Sequence, residues 1–428
     1  MLRFSLIFLL IAALFCLPQK SSFAADLKVG AAFRVITPDP LLPVSGGVGT
    51  PNPVAEKKGD LFVRVIVFEK DDTRVALVGI DNLGWPKIWG DKTRALVPRI
   101  PAANIIIGAT HTHSAPDAYC FPDLKGELHT DMKYLEWVCV QMADAINEAI
   151  DTLRPASLKI AVDEAKGKIA YNYYAPQLYD PRCSVLQAID AKDASVIATL
   201  VNYAIHPEVI GSDKGIISPD LCGPLYDHIE SKAGGMALFL NSAQGGMVTA
   251  DNRSENGDME VWEECVRIGE LLADEALRIV AEAPVQQDPT LLCVARDLTL
   301  PVDSPLMKML LLNSPMADQM GSLESMVTQL NVVNIGTAQL LTIPGEALPN
   351  IGFYLKRNMP TKHAFLLGLT NDAFGYMLTK YDFDSFERYE YISETSMGEM
   401  TGELYIEQAL QLVKDSPQPD ATRKKKDH

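Results

Sequence analysis

The stretch "NIIIGATHTHSAPD", Asn104 to Asp117, decides how the fold is read. Three consecutive isoleucines are β-branched and apolar, the composition of a buried strand. Shortly after them stand His111 and His113, two of only seven histidines in the chain. A buried strand that ends in polar residues is how α/β proteins build sites, at the carboxyl ends of their strands.

Working outward, apolar runs of strand length recur at 61–69, 74–81, 157–162, 183–190, 196–205 and 236–242. Later runs cover "LCVARDLTL", "LNVVNIGTAQLLTI" and "HAFLLGL". Helical patterns lie between them. The clearest covers 258–282, where Val261, Cys265, Ile268, Leu272, Ala276 and Ile279 recur every three or four residues. Others cover 131–152, 221–232, 346–357 and 400–413. Strands and helices mixed to the end predict an α/β fold with mixed sheets and helices packed outside, in one large domain spanning 26–415.

The first 25 residues carry one Arg, an apolar run from Phe4 to Leu17, and small residues at Ala24 and Ala25. This is the pattern of a secretory signal cleaved near Ala24 or Ala25, so an exported (periplasmic or secreted) protein without a stable membrane anchor is expected. Removing 1–25 leaves 36 basic against 55 acidic side chains, a net charge of −19. That field disfavours nucleic acid and anionic membrane surfaces as partners. The remaining six cysteines show no CxxC spacing, which argues against a cysteine metal site. Residues 416–428, rich in Pro and ending in a basic run, read as a disordered tail.

Polar residues at the ends of apolar runs are the candidates for chemistry. His111 and His113 follow "NIIIGAT", His206 follows "ATLVNYAI", Glu346 follows "AQLLTI", and Tyr376 lies in the loop after "HAFLLGL". Two imidazoles and a carboxylate, His111, His206 and Glu346, suit a catalytic Zn²⁺ with one position left open. On a strand, residues two apart share a face, so His113 could reach the same cavity beside the ligands or as a donor to an oxyanion. Each residue also has a plain structural reading. His206 before Pro207 could close a turn, and Glu346 in "PGE" could open a helix. "LNSAQGGMVTADN" at 240–252 reads first as a tight turn, and it lacks a P-loop's spacing and Lys.

Taken in order, "GAAFRVITPD", "THTHSAPD", "NYAIHPE", "QGGMVTADN", "IPGEALPNIG" and "NDAFGYMLTKYDF" followed by "YE" resemble the neutral/alkaline (non-lysosomal) ceramidase family, from about Val29 to Glu403. The resemblance implies zinc held by His111, His206, Glu346 and Tyr376, with His113 similar to the family's active-site histidine. Tyr389, in "YE", is similar to the family tyrosine that polarises the scissile carbonyl. The chain departs from the family at Thr249, where a Ser is usual, and at Tyr173 in "AYNYYAP", where an Arg is usual. Thr249 is thus at most an assisting hydroxyl.

The expected function is zinc-dependent amide hydrolysis resembling that of neutral ceramidase, on a small-molecule or lipid N-acyl substrate. The alternatives are a zinc amidase or esterase for a smaller non-lipid substrate, and a non-catalytic binding protein on the same scaffold.

Overall fold

A computed structural model describes residues 27–421 except 48, 124, 320 and 321; the expected signal peptide, 1–25, lies outside the described residues. The long sheet runs, in spatial order, through Met236–Asn241, Val196–Tyr203, Arg182–Asp190, Arg154–Glu164, Lys28–Val35, Phe62–Lys70, Thr73–Ile80 and Ile105–Ala109. Val285–Gln286 adds a ninth, short strand beside Arg154–Glu164. Only two residue pairs join Lys28–Val35 to Arg154–Glu164, so the sheet is hinged there into two halves. A second sheet holds Leu291–Pro301, Ser325–Ile335, Ala338–Thr342 and His363–Leu367.

The inner faces of all three sheet portions share one apolar core. It includes Ile66, Phe68 and Leu77 from one half, Leu186, Leu200 and Leu238 from the other, and Leu340 and Phe365 from the second sheet. Each fully buried side chain of this kind contributes about 1.5–3 kcal/mol relative to exposure. The halves approach closely enough that a Cβ on Gly79 would sit 2.5 Å from Leu238 and 3.0 Å from the Phe239 carbonyl. Glycine there is a packing requirement. Outer faces are covered by helices: Met132–Asp151 over one half, Cys222–Ala233 and Trp262–Ala281 over the other, and Pro349–Asn358 with Thr401–Asp415 over the second sheet. The fold is α/β with mixed sheets and helices outside.

Within the two large sheets three adjacent strand pairs are parallel: Thr73–Ile80 with Ile105–Ala109, Val196–Tyr203 with Met236–Asn241, and Ala338–Thr342 with His363–Leu367. Their carboxyl ends carry the residues discussed below.

Two expectations need correction. The run "LNVVNIGTAQLLTI" is two strands, because Gly336, at φ +55°, and Thr337 turn the chain between Ile335 and its partner Ala338. The start of the expected disordered tail is held to the second sheet. Asn334 Nδ2 donates to the Pro417 carbonyl at 2.7 Å, and the Asp420 carboxylate accepts from the Thr290 backbone and hydroxyl. Among the described residues the cysteines are free thiols, five of them buried, and no helix is long and apolar enough to cross a membrane.

Candidate metal centre

Asn241 sets the site. Its buried Nδ2 donates to the carbonyls of Thr110 at 3.0 Å and Ile205 at 2.6 Å, while its Oδ1 accepts from the backbone of Ile205 and Ser242. Thr110 and Ile205 are the residues just before His111 and His206. One side chain thus ties two strand ends together and aims both imidazoles at one point. Nothing in the sequence pattern singles it out except its place at the end of "MALFLN".

His111 adopts a left-handed backbone, φ +74°, which a non-glycine residue holds only at a cost. Its Nδ1 meets the Leu83 carbonyl at 2.5 Å, and that of His206 meets the Val248 carbonyl at 2.8 Å. A carbonyl can only accept, so both rings carry hydrogen on Nδ1 and turn Nε2 inward. Glu346 follows the Ala338–Thr342 strand of the second sheet, and a separate short parallel pairing sets it beside Tyr376. Its Oε2 lies 3.4 Å from His111 Nε2 and 3.1 Å from His206 Nε2. The "QGG" turn makes this approach possible: a Cβ on Gly245 would fall 2.1 Å from the Glu346 carbonyl oxygen.

His113 joins the cluster. Its Nε2 is 3.4 Å from His111 Nε2, and one nitrogen from each of His111, His113 and His206 fits within a 4.8 Å span. Burial, with the neighbouring imidazoles adding to it, pushes His113 down to about 4 despite Glu208 and Glu346, so it is neutral at pH 7. At His206 burial opposes the charge, but Glu208 and Glu346 outweigh it and raise the group to about 9. Glu346 loses solvation on burial, yet the two imidazoles hold its carboxyl well below the usual carboxylate range. A carboxylate among imidazoles with no other cation among the described neighbours suits a metal ion.

A cleft opens over these groups, lined by His111, His113, Glu346, Tyr376, Tyr119 and Tyr391, with Leu83, Phe121 and Met307 among its apolar walls. The Tyr376 hydroxyl donates to the Met247 sulfur at 3.0 Å. Tyr389, the expected carbonyl-polarising residue, does not line the cleft. Its ring is buried against Leu348, Leu378 and Ile392 and packs edge-on to Phe386. Tyr391, two residues on, lines the cleft instead, with its ring edge-on to Tyr376 at 5.8 Å. The turn at Glu387–Tyr389 and the helix Glu390–Glu394 rotate the two rings apart, and "YEY" alone does not tell which one faces in.

Thr249 sits on the short Val248–Ala250 strand, its backbone bridged to His206 and its hydroxyl facing Glu208. Glu208 was missed in the sequence; its only signal is its position two residues after His206. Tyr173 is 63% exposed and contributes no wall to the cleft. A second group, Asp123, Glu127 and His129, has metal-like spacing. Its central carboxylate is already occupied, accepting from the backbone of Lys125 and Glu127, the Thr50 hydroxyl and the His129 ring.

No protein-family model matches the chain, and no curated protein matches it in sequence. Solved structures do match. The crystal structure of neutral ceramidase from Pseudomonas aeruginosa superimposes with a TM-score of 0.72 at 17% identity, over 93% of this chain and 76% of that one. A ceramidase complexed with C2 gives 0.71 at 18% identity, with the same coverage. At such low identity the likeness speaks for architecture, and this chain has a neutral ceramidase-like fold.

Proposed function

We propose that this chain is an exported zinc-dependent hydrolase of N-acyl amides, with ceramide-like amides as its substrate class. The observation that carries the reading is the donor spacing on the cleft floor. Ligands about 2.0–2.1 Å from one tetrahedral zinc lie roughly 3.3 Å from each other. His111 and His206 present Nε2 at 3.4 and 3.1 Å from Glu346 Oε2. Tyr376, whose backbone pairs alongside Glu346, would turn its hydroxyl from the Met247 sulfur to serve as the fourth donor.

Zinc bound there supplies Lewis-acid polarisation and makes water acidic enough to ionise near neutral pH. The other tasks fall to the chain. His113, neutral and facing the same space, takes a proton from the attacking water and returns it to the leaving amine. Tyr391 donates a hydrogen bond to the amide oxygen as it becomes negative. Desolvation, with the charges of Glu346 and Glu208, pushes its phenol up to about 12, so it keeps the proton it donates. One well-placed donor of this kind is worth roughly 3–4 kcal/mol. Leu83, Phe121 and Met307 offer an apolar wall to an acyl arm, at about 0.8 kcal/mol per methylene buried.

The test is elemental analysis together with zinc-dependent hydrolysis of N-acyl sphingoid bases, short N-acyl amines and matching esters. Zinc-dependent amide turnover supports the reading. One zinc per chain with no turnover on any of them leaves a binding protein, and turnover of esters alone changes the bond cleaved.

Thr249→Ala should retain measurable turnover and form no covalent intermediate, because a metal-activated water needs no protein nucleophile. Mass spectrometry after a substrate quench checks this. An acyl adduct on Thr249 in the parent protein would show that the hydroxyl attacks.

A further inference from the structure

The segment "HPE" brings in a carboxylate that the ligand set does not use. Glu208 Oε2 lies 3.7 Å from Nδ1 of His113. The same segment also holds the backbone of His113, whose N–H donates to the Pro207 carbonyl at 3.2 Å. The far nitrogen of the ring, Nε2, faces His111 Nε2 across 3.4 Å. Behind Glu208, the Thr249 hydroxyl faces its carboxylate.

We propose that Glu208 is a positioning residue that accepts the Nδ1–H of His113, with Thr249 steadying the carboxylate. The inference deepens, and rests on, the reading of His113 as the proton carrier. A neutral imidazole has one N–H and one lone pair, and the partner of one nitrogen decides the state of the other. An ionised carboxylate only accepts. Nδ1 therefore carries the hydrogen, and Nε2 turns its lone pair to the cleft, the form able to take a proton from water. His111 and His206 hold hydrogen on Nδ1 through backbone carbonyls. His113 does so through a negative charge, which also stabilises the imidazolium formed once the proton has moved. The 3.7 Å contact is longer than a hydrogen bond, and catalytic contacts that are long in the free protein tighten when substrate binds. Thr249 thereby acquires a task that requires no attack on substrate.

The test reads the tautomer directly. Long-range ¹H–¹⁵N correlation spectra of protein labelled at histidine, with and without zinc, should show His113 hydrogen on Nδ1. Glu208→Ala should move it wholly or partly to Nε2, while Glu208→Gln, whose amide oxygen still accepts, should keep it. In turnover, Glu208→Ala should lower kcat about 10- to 100-fold with zinc retained, the range for losing a group that orients a site residue. KM should change by less than about twofold, and Glu208→Gln should recover part of the loss. Hydrogen on Nε2 in the parent protein, or a spectrum unchanged by Glu208→Ala, overturns the proposal. The spectrum needs no catalysis, so a protein that hydrolyses no amide would refute the proposed function and still leave this assignment decided.

Discussion

His111→Ala is expected to lose bound zinc and turnover in the same preparation, with activity falling on the order of 10³-fold or more. The ring would supply one of the four proposed donors, and the Leu83 carbonyl on its Nδ1 holds its Nε2 toward Glu346. Because His111 sits at φ +74°, alanine keeps a left-handed backbone that costs a residue with a Cβ roughly 1–2 kcal/mol. His111→Asn separates the two effects, since asparagine tolerates that conformation and lacks the imidazole. Both variants should lose the metal. Calorimetric melts give a second readout: zinc at 100 times its Kd should stabilise the parent by about 2.7 kcal/mol and the variants by nothing. A purified variant that keeps a full zinc equivalent removes His111 from the ligand set.

His113→Ala should behave differently. Zinc content should stay near one equivalent, while kcat falls about 10²- to 10³-fold, the usual cost of removing a proton carrier or an oxyanion donor. The distinction matters because the His113 and His111 Nε2 atoms, 3.4 Å apart, are spaced as two ligands of one ion could be. Elemental analysis of His113→Ala decides between these roles. Zinc lost from the variant would make His113 a ligand and leave the proton without a carrier.

Periodicity revealed the long strands and helices because each buries one face against a large partner. Shorter elements were harder. The helix Lys87–Ala95 buries only Trp89, Gly90, Thr93 and Arg94, too few for a visible stripe. The first strand, "KVGAAFRV", is thinned by small residues for a reason found elsewhere in the chain. A Cβ on Gly30 would lie 2.0 Å from the Ala149 carbonyl at the end of a helix packed on it. At the site, His111, His113, His206 and Glu346 were legible because imidazoles and a carboxylate are unusual at the ends of buried strands. Glu208 and Asn241 were not, since their partners are distant in sequence or are backbone atoms. The resemblance pointed to Tyr389 in "YE", and a motif does not record the turn that places Tyr391 on the cleft wall.

The tie that Asn241 makes between Thr110 and Ile205 has a kinetic consequence. The proposed ligands are far apart in sequence, His206 and Glu346 by 140 residues, and they meet only after both halves of the long sheet and the second sheet have closed. Contacts of such long range form late, after most loop-closure entropy has been overcome. A metal that binds only the assembled site then has nothing to grip in the folding transition state. Zinc should leave the refolding rate unchanged and slow unfolding, so its benefit is the persistence of the native chain rather than its speed of formation. Stopped-flow refolding and unfolding in denaturant, with zinc and with chelator, would show it; a zinc-accelerated refolding limb would mean that the site assembles early.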